Sequence, residues 1–83
     1  MNRRELFKRI ARGETENVRF GDFQRLIEGF GFQLRRINGS HHIYSHPEVR
    51  GNLNLQPQGG DAINYQVKQF LKLVEKYELH LGE

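Results

Sequence analysis

Apolar residues follow two different periods along this 83-residue chain. Leu6, Phe7, Ile10 and Ala11 recur at helical spacing, which predicts a short amphipathic helix over residues 2–12 that stops at Gly13. The polar stretch Glu14-Thr15-Glu16-Asn17 reads as a turn between two helices. A second helix begins at Arg19, with Phe20, Phe23, Leu26, Ile27 and Phe30 on one side and Asp22 suited to the positive end of its dipole. Gly29 and Gly31 end it. From Phe32 the period drops to two, because Phe32 and Leu34 alternate with Gln33 and Arg35, so a strand is predicted. Asn38-Gly39 tolerates the positive φ that both central residues of a type I′ turn need, and predicts a hairpin into a second strand, His41 to Ser45. His46-Pro47 ends that strand, since proline cannot donate to a central ladder. Leu53-Asn54-Leu55-Gln56 is a third short strand stopped by Pro57. Residues 58–61 read as a loop, and Val67, Phe70, Leu71 and Val74 mark a final helix from about 63 to 79.

The order helix, helix, three meandering strands, helix predicts an α+β fold: a three-stranded antiparallel sheet with helices on one face and the other face open. The layout is similar to double-stranded-RNA-binding folds. A chain of this size supports one compact domain over residues 1–83. Strict alternation puts Ile43 in the core with His41 of the same parity, and pairs Tyr44 with His42. It also sends Arg35 and Arg36 to opposite faces, so only one of them reaches a ligand on the open face.

Composition narrows the setting. There is no cysteine, which removes disulfides and thiolate metal sites. No apolar run approaches the ~20 residues that span a bilayer, and the expected location is the cytoplasm. Thirteen Lys and Arg against ten Asp and Glu leave a net charge of +3, too mild to indicate nucleic acid alone. Residues 1–12, however, hold Arg3, Arg4, Lys8, Arg9 and Arg12 against Glu5. A solvated helix face and a phosphate-facing patch both account for this cluster. Lys68, Lys72 and Lys76 form a row at i, i+4, i+8 that is more simply a charged outer face than a rail for a polyanion.

Three of four histidines, His41, His42 and His46, fall within six positions. Alternation places His41 opposite the other two, so at most two of them share a metal, and the carboxylates nearby are limited to Glu48 and Asp61. Neither a metal site nor a serine triad follows, because no acid or nucleophile elbow accompanies Ser40 and His41. Ser40 is better suited to bonding the turn backbone or a phosphate oxygen. With RNA the nucleophile comes with the substrate. A histidine, whose unperturbed pKa is about 6.5, takes the proton of a ribose 2′-hydroxyl while arginines stabilise charge on phosphorus. No metal or other cofactor is then required.

Phe30-Gly31-Phe32, followed by Asn38-Gly39-Ser40-His41-His42-Ile43-Tyr44 and His46-Pro47, resembles the HicA toxin family, whose pattern is a Gly-Phe, a basic stretch, Gly-Ser-His and an aromatic. The likeness runs from about Phe20 to Leu79, with a core of residues 19–80 and residues 1–18 as an N-terminal extension. It implies a small mRNA-cleaving toxin held inactive by a HicB-like antitoxin, with His41 as the catalytic residue. Gly39 and Ser40 occupy the other motif positions and Tyr44 its aromatic. His42, Tyr44, Arg35 and Arg36 are further candidates for RNA contact, Tyr44 either stacking on a base or packing internally. The family's Pro-x-His near the end of the third strand is Pro57-Gln58-Gly59 here. A non-catalytic RNA-binding module of the same fold is the alternative, and a protein-interaction domain with incidental histidines a third reading.

Overall fold

The computed structural model describes residues 1–82. Among these residues the order is α1 (Arg3–Ala11), α2 (Phe20–Gly29), β1 (Gln33–Asn38), β2 (His41–Ser45), β3 (Leu53–Leu55), β4 (Pro57–Gln58), β5 (Asp61–Ala62) and α3 (Asn64–Tyr77). Strands β1, β2 and β3 form an antiparallel sheet in that order, so β2 is central. With the helices packed on it, this is the expected α+β architecture of the double-stranded-RNA-binding type.

Helix α1 starts where Asn2 Oδ1 accepts the Glu5 N–H at 2.8 Å, satisfying one of the free donors of the first turn. Its Leu6 and Ile10 are buried in the same cluster as Phe23, Leu26 and Ile27 of α2, Val67 and Phe70 of α3, and Tyr44, Leu53 and Leu55 of the sheet. The N-terminal segment is thus built into the core rather than appended to it. Phe70 meets Phe23, Phe30 and Phe32 edge-on at centroid distances of 5.5, 5.4 and 6.1 Å. Each such pair contributes about 0.5–1.5 kcal/mol beyond the area it buries.

Three of the N-terminal arginines serve the chain itself. Arg3 Nε donates to the Arg25 carbonyl at 2.6 Å, Arg9 Nη2 donates to the carbonyls of Glu16 and Asn17 at 2.5 and 3.1 Å, and Arg12 pairs with Glu14 at 2.7 Å. The turn after α1 presents carbonyls that need donors, and Arg9 supplies them, while Arg3 ties α1 to the backbone of α2. A phosphate-facing role for Arg3, Arg9 and Arg12 is therefore not what the fold uses them for.

The hairpin differs from expectation. Asn38 pairs with His41, so the two-residue loop is Gly39-Ser40 rather than Asn38-Gly39. Only Gly39 takes positive φ, at 65°, which is the pattern of a type II′ turn with glycine first. An Asn38-Gly39 loop would set Leu34 against Ile43 and Gln33 against Tyr44. The observed register instead puts Leu34 and Ile37 beside Tyr44 and His42, on the helix side, and sends Gln33 to the other side opposite Ser45. A turn with two positive φ values does occur, at Gly59-Gly60 (60° and 84°), where it closes the β4–β5 hairpin in place of the expected loop. That hairpin ties the start of α2 to the start of α3: the Ala62 N–H donates to the Val18 carbonyl at 2.7 Å and the Phe20 N–H to the Gly60 carbonyl at 3.0 Å.

Candidate functional site

Residues paired across antiparallel strands share a face, so the register assigns the sides of the sheet. Tyr44 pairs with Leu53 and His42 with Leu55, and both leucines are buried under the helices. Arg36, Asn38, His41, Ile43, Ser45 and Asn54 therefore occupy the opposite, open face. Arg35 joins them. The pairing steps from Leu34–Tyr44 to Arg36–Ile43, which leaves Arg35 as the extra residue of a β-bulge, and its Nε donates to Ser45 Oγ at 2.7 Å. Simple alternation sent the two arginines to opposite faces; the bulge brings both to the open one. Among the described residues Arg36 has no carboxylate partner.

His41 opens β2 directly after the Gly39-Ser40 loop and is exposed, as are Gly39 and Ser40. Its Nδ1 lies 3.1 Å from Asn54 Oδ1 on β3. Asn54 was not singled out from the sequence. The alternation of Leu53-Asn54-Leu55 already marks it as facing away from the core, but only the strand register brings it to His41.

The other histidines belong elsewhere. The ring of His42 lies on the helix side, edge-on to Phe20 at a centroid distance of 5.0 Å, and its Nδ1 is 3.0 Å from the Ser40 carbonyl. His46 donates from Nε2 to the Phe30 carbonyl at 2.9 Å, accepts the Glu48 N–H at Nδ1 at 3.0 Å, and meets Phe32 edge-on. Both of its nitrogens are engaged, so it is a structural histidine rather than an RNA contact. His42 turns away from the face that holds His41, because the period of a strand is two. Among the described residues no three His, Asp or Glu side chains converge as a metal site would need.

Tyr44 corrects a second expectation, and Ile43 with it. Tyr44 is 0 % exposed and cannot offer its ring to a base, whereas Ile43, expected in the core, is half-buried on the open face. The phenol reaches through the core to polar partners on α2: Gln24 Nε2 donates to it at 3.0 Å, and it donates to Glu28 Oε2 at 3.5 Å. Burial raises its pKa above the ordinary value, against the lowering effect of the Gln24 bond. An aromatic body with a hydroxyl that finds partners is stable inside, which is why Tyr44 takes the core position.

Residues 20–75, from the first residue of α2 to the last turn of α3, match the family model described as HicA toxin of bacterial toxin-antitoxin. The chain belongs to the HicA toxin family. The protein is thus the toxin component of a toxin–antitoxin pair. The HicA match takes in the whole open face, with Arg35, Arg36, His41 and Asn54, and leaves out α1, whose Leu6 and Ile10 nonetheless complete the core. No curated protein and no solved structure matched.

Proposed function

We propose that this HicA toxin is a metal-independent endoribonuclease acting on mRNA, with His41 as the catalytic residue, and that a HicB-like antitoxin silences it by covering the same face. The observation that carries this reading is an exposed imidazole on a sheet face that also holds two arginines, placed there together by the bulge. In the reaction His41 accepts the proton of a ribose 2′-hydroxyl. The 2′-oxygen forms a bond to the adjacent phosphorus, the bond from phosphorus to the 5′-oxygen breaks, and that oxygen leaves with a proton from solvent water. Arg36, and Arg35 beside it, hold the negative charge that builds on the non-bridging oxygens. Gly39 and Ser40 form the exposed loop beside His41, where the phosphodiester passes the turn.

The chemistry dictates the products. Cleavage of a defined RNA leaves a 2′,3′-cyclic phosphate and a 5′-hydroxyl, continues in excess chelator, and stops when the nucleotide 5′ to the cut carries 2′-deoxyribose. Cutting of the deoxy-substituted strand at an undiminished rate would show that the nucleophile is not the ribose. RNA that shifts on a gel but is never shortened over hours would instead favour the non-catalytic binding module.

The arginines separate by their commitments. Arg36→Ala lowers the cleavage rate by about 10²-fold, the scale of losing one charge-stabilising donor. Arg35→Ala costs less, because its Nε is already engaged by Ser45. Initial rates on one RNA at fixed salt measure both, and an Arg36→Ala enzyme within twofold of wild type removes that residue from the mechanism. Binding by either form weakens steeply as salt rises.

A further inference from the structure

We propose that Asn54 is the positioning residue of His41, its amide oxygen holding the imidazole proton on Nδ1 and so leaving Nε2 bare to take the proton of the ribose 2′-hydroxyl. The proposal rests on the ribonuclease reading above and names the atom and the partner that make that reading work. His41 Nδ1 and Asn54 Oδ1 are 3.1 Å apart. An amide oxygen only accepts, so the proton of the bond belongs to Nδ1. A neutral imidazole has one N–H, and its other nitrogen is then the base.

The sheet holds the pair in place. Asn54 stands opposite Ile43, two residues out of register with His41, so the ring reaches it along the diagonal of the β2–β3 ladder, within the range of a long side chain. Leu53 and Leu55 on either side of Asn54 are 2 % and 0 % exposed, which fixes the backbone from which the amide projects. His46 supplies the contrast: its Nε2 donates to the Phe30 carbonyl and its Nδ1 accepts, the reverse protonation, in a ring given over to packing. The strand residues of the open face include no carboxylate, and the side chain that His41 meets across the ladder is Asn54. An amide suits the task better than an acid. It fixes the ring without placing a negative charge where a phosphodiester must approach, and when Nε2 takes the proton, Nδ1–H still donates to the same oxygen.

The test reads the ring directly as well as through catalysis. Imidazole ¹⁵N shifts of the RNA-free wild type at a pH where His41 is neutral should show Nδ1 protonated. In Asn54→Leu the proton moves to Nε2, the form free imidazole side chains favour in water. Asn54→Asp, which keeps an oxygen acceptor, restores protonation at Nδ1. In single-turnover cleavage Asn54→Leu slows the chemical step by about tenfold or more, with RNA affinity within twofold of wild type, and Asn54→Asp cuts faster than Asn54→Leu. Nε2–H in the wild-type ring, or an Asn54→Leu protein that cuts as fast as wild type, overturns the proposal and leaves His41 as the base. Nδ1–H in a wild type that cuts no RNA points the other way: the ribonuclease reading falls, and the catalytic role of Asn54 with it, while the orientation of the ring stands.

Discussion

Replacing His41 with alanine is expected to lower RNA cleavage by about 10²–10⁴-fold, the usual worth of a positioned proton acceptor. The melting temperature should barely move, because the side chain is exposed, hydrogen-bonds Asn54 and lies outside the core, and such surface changes stay within about 0.5 kcal/mol. The variant should also be tolerated when it is strongly induced without an antitoxin, whereas the wild type is expected to arrest growth. Two measurements on the same preparations separate catalysis from folding: single-turnover cleavage of a defined RNA, and thermal unfolding followed by circular dichroism. A His41→Ala protein that melts with the wild type and still cuts at half its rate would remove the imidazole from the chemistry.

The largest effect on stability is expected at Tyr44, three residues further along the chain. Tyr44→Ala empties a central position of the core and leaves Gln24 and Glu28 without the hydroxyl they share. Truncation of a buried aromatic costs about 3–5 kcal/mol, a large part of the roughly 5–15 kcal/mol that holds a domain together. Its urea midpoint falls accordingly and its melting temperature drops by tens of degrees, at about 4–8 °C for each kcal/mol in a domain of this size. Tyr44→Phe keeps the ring and loses only the hydroxyl bonds, about 1 kcal/mol, and it retains cleavage because the hydroxyl faces α2 and not the open face. A melt for Tyr44→Ala within a few degrees of wild type is incompatible with a tyrosine at the centre of the core.

Tyr44 also gives the alkaline behaviour a sign. Burial raises the pKa of its phenol above the ordinary 10.0, so the folded state holds this proton more tightly than the unfolded chain does. The contribution is fully present below a pH of about 10 and is lost as pH rises through the higher folded value. Tyr44→Phe removes that loss, so the gap between the two proteins narrows at the alkaline end of a stability profile.

Much of the architecture is legible residue by residue. Leu6, Phe7 and Ile10 announce α1, Phe20 to Phe30 announce α2, and Val67 to Val74 announce α3, because each helix buries a stripe that recurs at its own period. Strands β1, β2 and β3 are announced by alternation and by the breaks at Gly39, Pro47 and Pro57. The family likeness is legible there too, from Gly39-Ser40-His41 taken together with Phe30-Gly31-Phe32, His46-Pro47 and the order of the elements. The faces of the strands are less accessible. Alternation alone left two assignments for β2, one with Ile43 inside and one with Tyr44 inside, and favoured the wrong one.

Local sequence therefore determined the elements, their order, the family, and His41 as the residue to watch, since period, turn chemistry and a short motif are all written within a few neighbouring positions. Tertiary structure decided which side each strand presents. A loop set one residue later than Asn38-Gly39, a bulge at Arg35 and the pairing of β2 with β3 are choices between competing ways to bury Tyr44, Leu53 and Leu55 against three helices. Those choices bring Arg35, Arg36, His41 and Asn54 onto one surface. No segment records them alone, because the free energy that settles a register comes from side chains distant in the chain that meet only when the core closes.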